Sequence, residues 1–302
     1  MAPLDDRLGL TGKNVVVLGV ADESSIAWGI AKAFAANGAR VSIGYQQKFF
    51  SRVRMLLKDC PEISGGRCDV LNQEELDSFF APLQPVGIDV LVHSIAYAPP
   101  EVFTRLPSEV GVAALEQTMD TSAVSLLRVI RVAKPALRPW SSIMALSFQG
   151  ASRAFPVYGL MGVAKSALES IVRYLALELG KDRIRVNAIS PGPVETLAAF
   201  AEMLAISNDA EAVERMRGDL VKDAFREADT RVAGRAERGS LEWLQAVENK
   251  VRRTFAVRSA IEEPVSKEDV AGCALFLGSR LSSKITGQVI HVDAGLSSSF
   301  IV

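Results

Sequence analysis

A phenol at Tyr158 and an ammonium at Lys165 stand seven positions apart in the stretch YGLMGVAK, at the head of a long helix-forming run. Seven residues of α-helix turn through about 700°, within about 20° of two full turns, and rise about 10.5 Å. With Tyr158 at the start of that helix and Lys165 inside it, both face one groove, with Met161 between them. An ammonium there can hydrogen-bond the hydroxyls of a ribose, and its charge favours phenolate character in the tyrosine. The tyrosine hydroxyl can then stabilise charge developing on a substrate oxygen as hydride arrives. The same pair also fits an ordinary aromatic and a snorkelling lysine on an amphipathic helix, so its meaning rests on its surroundings.

Those surroundings suit a dinucleotide. The stretch GVADESSIAWGI opens a helix directly after an apolar strand. Gly19 permits a close turn, Ser24 or Ser25 can cap, and Gly29 lets the helix approach the backbone. The helix start would offer N–H groups and the positive end of its dipole to a pyrophosphate. The stretch is not G-x-G-x-x-G, and a plain tight turn has the same form. The second strand ends in GYQQKFF. Neutral Gln46 can bond the adenosine ribose and favours NADH, while Lys48 and Arg52 keep NADPH open. Asp69 and Val70, in CDV, can hold and cover an adenine. Ser94, Ile95 and Ala96, in HSIAYAP, would line the middle of the cofactor, and His93 reads as a structural histidine.

The elements that must position these groups alternate between short apolar runs and helix-period segments. NVVVLGV, RVSIGY, GGRCDV, IDVLVHSIA, SSIMALSF, IRVNAISPGP and GQVIHVDAG read as strands. Between them lie helices through SIAWGIAKAFAANGA, about 49–59, NQEELDSFFAPL, EQTMDTSAVSLLRVIRVAKPAL, YGLMGVAKSALESIVRYLALELG and SKEDVAGCALFLGS. Continuous apolar strands alternating with helices imply an α/β fold with a single doubly wound, Rossmann-like parallel sheet, helices on both faces. One dinucleotide-binding catalytic domain over 1–302 is expected. Residues 200–258 contain no strand, but eleven basic and eleven acidic side chains. They read as a solvated helical hairpin or as a helical substrate lid following the sixth strand.

Composition excludes several function classes. With 49% hydrophobic and 23% charged residues and a net charge of −1, nothing favours nucleic acid or an anionic membrane as partner. Three cysteines, Cys60, Cys68 and Cys273, suit a reducing compartment better than a disulfide framework. His93 and His291 alone leave little for a zinc site or a Ser-His-Asp triad, and no metal is expected. No apolar run approaches the roughly 20 residues needed to span a bilayer, and MAPLDDRLGL does not read as a targeting segment.

Taken in order, GVADESSIAWGIA, YQ, CDV, HSIAYAP, SRAFPVYGLMGVAKSALE, RVNAISPGPVETLAA and ITGQVIHVDAG resemble the short-chain dehydrogenase/reductase superfamily. Within it the chain is similar to NADH-dependent enoyl-acyl-carrier-protein reductases. Ordinary superfamily members place three residues between Tyr and Lys; the enoyl reductases place six, as here. The resemblance implies that Tyr158 contacts substrate and Lys165 binds the nicotinamide ribose. It further implies cofactor contacts from Gly19, Ala21, Ser25, Ile26, Gln46, Asp69, Val70, Ser94, Ile95, Ala96, Pro193 and Thr196. Tyr97, Ala98, Phe148, Met161 and Leu197 would join Tyr158 around the substrate.

Three departures stand out. Phe148 occupies the place of a second Tyr, ten positions before Tyr158, found in many bacterial members. Pro191 stands where many relatives have Ala, and the 200–258 segment exceeds the usual short substrate loop. The reaction implied is NADH-dependent reduction of a trans-2-enoyl thioester on acyl carrier protein or coenzyme A, in fatty-acid or related acyl-chain synthesis. Hydride reaches the β-carbon, Tyr158 bonds the enolate oxygen, and a proton reaches the α-carbon from solvent or a relayed water. Arg215, Arg217, Arg252 and Arg253 are candidates to meet an acidic carrier, although a charge-paired solvated face also accounts for them. The departures leave room for a carbonyl reductase of specialised metabolism, and a non-enzymatic dinucleotide sensor is a third reading. A cytoplasmic homotetramer is the family expectation.

Overall fold

A computed structural model describes residues 8–155, 158–215 and 220–299. Seven strands form one sheet in the order β3-β2-β1-β4-β5-β6-β7, and every neighbouring pair is parallel. The strands are β1 (Asn14–Leu18), β2 (Arg40–Tyr45), β3 (Ile63–Arg67), β4 (Ile88–His93), β5 (Leu137–Leu146), β6 (Arg185–Pro191) and β7 (Val289–Val292). Chain order reverses between β1 and β4. In open α/β sheets that switch point is where ligands enter, at the carboxyl ends of the strands.

Both sheet faces are covered, which is why β4 and β6 are buried at every position. On one face α1 (Ile26–Ala36) and α12 (Lys267–Gly278) pack together, and Trp28, Ile30, Phe34 and Leu277 meet Val15, Val17 and Ile43 of the sheet. On the other, α3 (Gln73–Phe80), α6 (Ser125–Ala133) and α7 (Met161–Leu179) bring Phe80, Leu126, Leu168 and Val172 against Val16, Leu91 and Ile143. The remaining helix of the first half, α2, covers Phe50–Asp59.

Several boundaries differ from the sequence expectation. The third strand is Ile63–Arg67, so CDV lies just past its end. The helix expected through EQTMDTSAVSLLRVIRVAKPAL begins earlier, as α5 (Val112–Met119), and passes through a π-turn at Asp120–Val124 before α6. The extra residue of a π-turn leaves the 3.6-residue apolar period intact on both sides, so periodicity does not reveal it. It places the Ser122 hydroxyl to accept from the Tyr97 amide at 3.0 Å and to donate to the Tyr97 carbonyl at 2.9 Å. The loop after β4 is thereby anchored.

The described residues of 200–258 form helices joined by turns, but they are more than a solvated hairpin. After α4 (Glu101–Thr104), which lies beneath, α8 (Leu197–Ser207), α9 (Ala210–Arg215), α10 (Leu220–Val232) and α11 (Leu241–Ala256) form a cap. Met203, Ile206, Phe225, Trp243 and Val247 give it an apolar core of its own. Thr196 and Ser240 cap α8 and α11 by accepting from the Ala199 and Trp243 amides.

Candidate active site

Tyr158 and Lys165 both border the segment that leaves the carboxyl end of β5. Lys165, four residues into α7 and 4% exposed, donates from Nζ to the Leu146 carbonyl at 2.6 Å. Two residues further along, the Phe148 ring stands 4.6 Å from that of Tyr158. Both side chains therefore flank residues 146–148, but not through helical spacing. Tyr158 lies in the turn before α7, and Gly159 has φ +51°. A Cβ at that glycine would sit 2.0 Å from the Val102 carbonyl oxygen, so only glycine turns the chain there. Two turns of continuous helix are thus the wrong geometry for the pair; a left-handed turn sets Tyr158 and the strand end holds Lys165.

The electrostatics also differ from expectation. Burial pushes the Tyr158 phenol up from its ordinary 10, and the nearby Glu202 carboxylate pushes it in the same direction. Tyr158 stays protonated as a hydrogen-bond donor and does not gain phenolate character. Burial lowers Lys165 to about 8, against the opposing pull of Glu169. Glu169 is itself held by the Ser147 hydroxyl at 2.6 Å.

The cofactor candidates line the switch point. Gly19, at φ +99°, passes so close to the β4 loop that a Cβ would lie 2.0 Å from the Ser94 carbonyl oxygen. The Ser94 amide is tied back to the Leu18 carbonyl. Ser25 does not cap α1 as expected; its hydroxyl accepts from the Ala21 and Asp22 amides at 3.1 and 3.0 Å. That closes the loop ahead of Ile26, the first residue of α1. Gly29 makes room for the aliphatic stem of Lys267, which a Cβ would meet at 3.1 Å, and not for a backbone. At the ends of β2 and β3, Gln46 donates to Asp69 at 3.0 Å beside buried Val70. The two cations that left NADPH open are engaged: Lys48 lies over the Phe49 and Tyr97 rings, and Arg52 pairs with Asp22 at 3.7 Å.

Ile95 is half-buried, and Ala96 is exposed on the same loop. Ala98 and buried Met161 pack with Tyr158, Val102 and Ala164 below the cap. Pro193 is half-buried in the segment after β6, and the Thr196 hydroxyl is used as the α8 cap. The Leu197 amide donates to the Ser24 hydroxyl at 3.1 Å, joining the cap to the candidate phosphate loop. His93 has structural surroundings: it is fully buried, with Nε2 2.8 Å from the Ser125 hydroxyl. A groove between β3 and α3, lined by Ser64, Gly66, Phe79 and Leu83, lies apart from all of these groups. A dinucleotide fits the site: the close β1–β4 approach, the start of α1, the Gln46–Asp69 pair and Lys165 form one line across the strand ends.

Sequence reasoning missed the acids of the cap. Glu202, on α8, and Glu248, on α11 and 4% exposed, lie within electrostatic reach of each other. Glu202 in turn reaches Tyr158. Arg252 spans from α11 to Glu195 at 3.1 Å, and its Nε is buried without a hydrogen-bond partner. Glu248, Arg252 and Phe255 share one face of α11 at i, i+4 and i+7. Rings continue that face to the site: Phe255 to Phe155 at 5.3 Å, and Phe155 to Phe148 at 6.1 Å. The one available signal was Glu202 itself, a lone acid inside the apolar run LAAFAEMLAI.

The cations considered for an acidic carrier are paired: Arg215 with Glu211, Arg252 with Glu195 and Arg253 with Glu227. Arg217 lies outside the described residues. Among the described residues no cluster of His, Cys, Asp or Glu is arranged for a metal, and no helix is long and apolar enough to cross a membrane.

Comparison with known proteins identifies the family. Residues 19–220 and 241–297 match the family model described as enoyl-(acyl carrier protein) reductase. The NADH-dependent enoyl-acyl-carrier-protein reductase of Nostoc sp. is 36% identical, covering 95% of this chain and 97% of that protein. The Escherichia coli enzyme of the same name is 35% identical, with 95% of each chain covered. The crystal structure of the Aquifex aeolicus reductase superposes with a TM-score of 0.77 at 32% identity, covering 97% of this chain and 99% of that one. The Anaplasma phagocytophilum reductase, solved in complex with NAD, gives 0.77 at 31% identity, with 96% of each chain covered. The chain belongs to the enoyl-acyl-carrier-protein reductase family.

Proposed function

We propose that this protein reduces trans-2-enoyl thioesters with NADH, taking substrate from acyl carrier protein or coenzyme A. The position of Tyr158 and Lys165 on either side of the segment leaving β5 carries this reading. Bound NADH supplies the hydride. Lys165 is placed to bond the nicotinamide ribose, and Gly19, Ala21, Ser25 and Ile26 form the cradle for the pyrophosphate. Gln46, Asp69 and Val70 hold the adenosine end, while Ser94, Ile95, Ala96, Pro193 and Thr196 flank the middle.

Addition of hydride at the β-carbon leaves charge on the thioester oxygen. A tyrosine kept protonated by burial is suited to donate a hydrogen bond to that oxygen. Tyr97, Ala98, Phe148, Met161 and Leu197 bound the space beside it, under the cap of residues 200–258, within a single catalytic domain. Phe148 packs on Tyr158 but has no proton to give.

Exposed Tyr174 and Leu177 on α7, 74% and 81% accessible, suit burial between copies in a homotetramer. Such an enzyme works in the cytoplasm, where NADH and acyl thioesters meet. Oxidation of NADH at 340 nm with crotonyl coenzyme A, against acetoacetyl coenzyme A, tests the assignment. Consumption with the enoyl substrate alone supports it; consumption with the ketone alone replaces it by a carbonyl reductase.

A further inference from the structure

We infer that Lys48 bridges the dinucleotide cleft onto the Tyr97 ring and binds the diphosphate of NADH from above, a role that rests on NADH being the occupant of that cleft. Lys48 lies in a 3-10 turn, Gln47–Phe49, just past β2, and Tyr97 lies in the loop after β4. In the sheet, β2 and β4 are the two neighbours of β1. Their separation is therefore two strand spacings, about 9.6 Å. The Lys48 ammonium spans it, standing 5.6 Å from the centre of the Tyr97 ring and 5.0 Å from that of Phe49. The contact crosses the carboxyl end of β1, where Gly19 and the start of α1 form the candidate phosphate cradle.

The fold holds both ends of this bridge. Ser122 of the π-turn accepts from the Tyr97 amide at 3.0 Å and donates to its carbonyl at 2.9 Å, so the half-exposed ring sits on an anchored loop. On the other side the Phe49 amide closes the turn onto the Gln46 carbonyl at 2.9 Å, and Gln46 is itself bonded to Asp69. An ammonium seated on an aromatic face keeps its charge, and its N–H groups that point away from the ring remain free to meet an anion.

The neighbouring charges have protein partners. On the phosphate loop, Asp22 pairs with Arg52 at 3.7 Å and accepts from the Ser24 amide at 2.9 Å. From α12, Lys267 donates to the Glu23 carbonyl at 2.6 Å, and Lys165 donates to the Leu146 carbonyl at the same distance. Exposed Lys48 has ring contacts and, among the described residues, no carboxylate in ion-pair range. A diphosphate lying on the start of α1 supplies the missing anion. It is then held between helix N–H groups below and an ammonium above, an arrangement that acts mainly by slowing release.

The test uses the full chain, with NADH binding followed by fluorescence titration and its release by stopped flow. Lys48→Met keeps the aliphatic stem and removes the charge at an exposed position, where folding is not at stake. It should raise the Kd for NADH roughly fivefold, mostly through faster release. Its Kd should also depend less on potassium chloride concentration than that of the natural protein. Lys48→Arg, which keeps the charge, should retain most of the affinity. Tyr97→Leu should weaken binding too, and the double variant Lys48→Met with Tyr97→Leu should bind no worse than the weaker single one, because both lose the same contact. If Lys48→Met leaves the NADH Kd within about twofold of the natural value, the role falls. A rise in KM for crotonyl coenzyme A in that same variant would then assign the lysine to the phosphates of the substrate carrier. If the two single effects multiply in the double variant, Lys48 and Tyr97 act separately and the bridge is refuted. If the natural protein binds no NADH at all, the cofactor reading itself falls, an outcome distinct from NADH binding that the variants do not move.

Discussion

Replacing Glu202 by Gln removes an ionisable group that burial holds far from its ordinary range, and the consequence for stability can be worked from the structure. In the unfolded chain the carboxyl loses its proton near 4.5, whereas in the folded protein it does so near 8. Below 4.5 it is neutral in both states, and Gln is nearly isosteric with it. As pH rises from 4.5 to 8, the unfolded chain binds fewer protons than the folded one, so folding stability falls across that window. Each pH unit is worth about 1.4 kcal/mol, which sets a ceiling of about 5 kcal/mol for the full loss. Coupling to Glu248 shares that loss between the two carboxyls. Glu202→Gln should therefore match the natural protein at pH 4 and exceed it by a few kcal/mol at pH 8. For a chain of this size that is a rise of roughly 5 °C or more in Tm. Thermal melts from pH 4 to 9 read it directly, alongside Glu248→Gln, whose window runs from 4.5 to about 7. Parallel melting curves for the natural protein and both variants across pH 5 to 8 would show that these carboxyls ionise freely, and the reasoning about the cap would be wrong.

Tyr158→Phe should lower turnover of an enoyl thioester at least tenfold, about 1.4 kcal/mol in the barrier, while NADH titration is unchanged. Gly159→Ala forces a Cβ to 2.0 Å from the Val102 carbonyl at a left-handed φ. It should cost several kcal/mol of stability or displace Tyr158, read as a lower Tm together with lost activity. Gly19→Ala meets the Ser94 carbonyl at the same 2.0 Å. Its main effect should be on NADH affinity, with Kd raised at least tenfold in a fluorescence titration. Ser24→Ala removes the hydroxyl that holds the Leu197 amide, and should raise KM for substrate more than it lowers kcat.

How much of the site is legible in the chain depends on whether its groups belong to one local pattern. The apolar run of β1, the six residues of β2 and the turn into α1 are local features, and their burial in a parallel sheet follows from composition and periodicity. The pairing of Tyr158 with Lys165 is also legible, but for a partly mistaken reason. Helical spacing points to a shared groove, whereas Tyr158 stands in a turn before α7, set by Gly159, and Lys165 bonds the end of β5. The residues at the ends of β2 and β3 read as separate contacts, and the bond between Gln46 and Asp69 joins them. The π-turn at Asp120–Val124 is invisible because one inserted residue hardly disturbs an apolar period.

The cap is where local pattern gives out. Equal numbers of acidic and basic residues suggest a solvated surface, and most of its ion pairs are indeed on the outside. Glu202 and Glu248 are forty-six positions apart, and only the packing of α8 on α11 sets one against the other, with Glu202 within electrostatic reach of Tyr158. The sequence by itself determined the seven-strand α/β architecture, the cofactor class and the phenol–amine pair, because apolar periodicity and short motifs act over a few residues. Tertiary structure alone decided which protons those groups keep, because a pKa depends on burial and on charges brought close from distant parts of the chain.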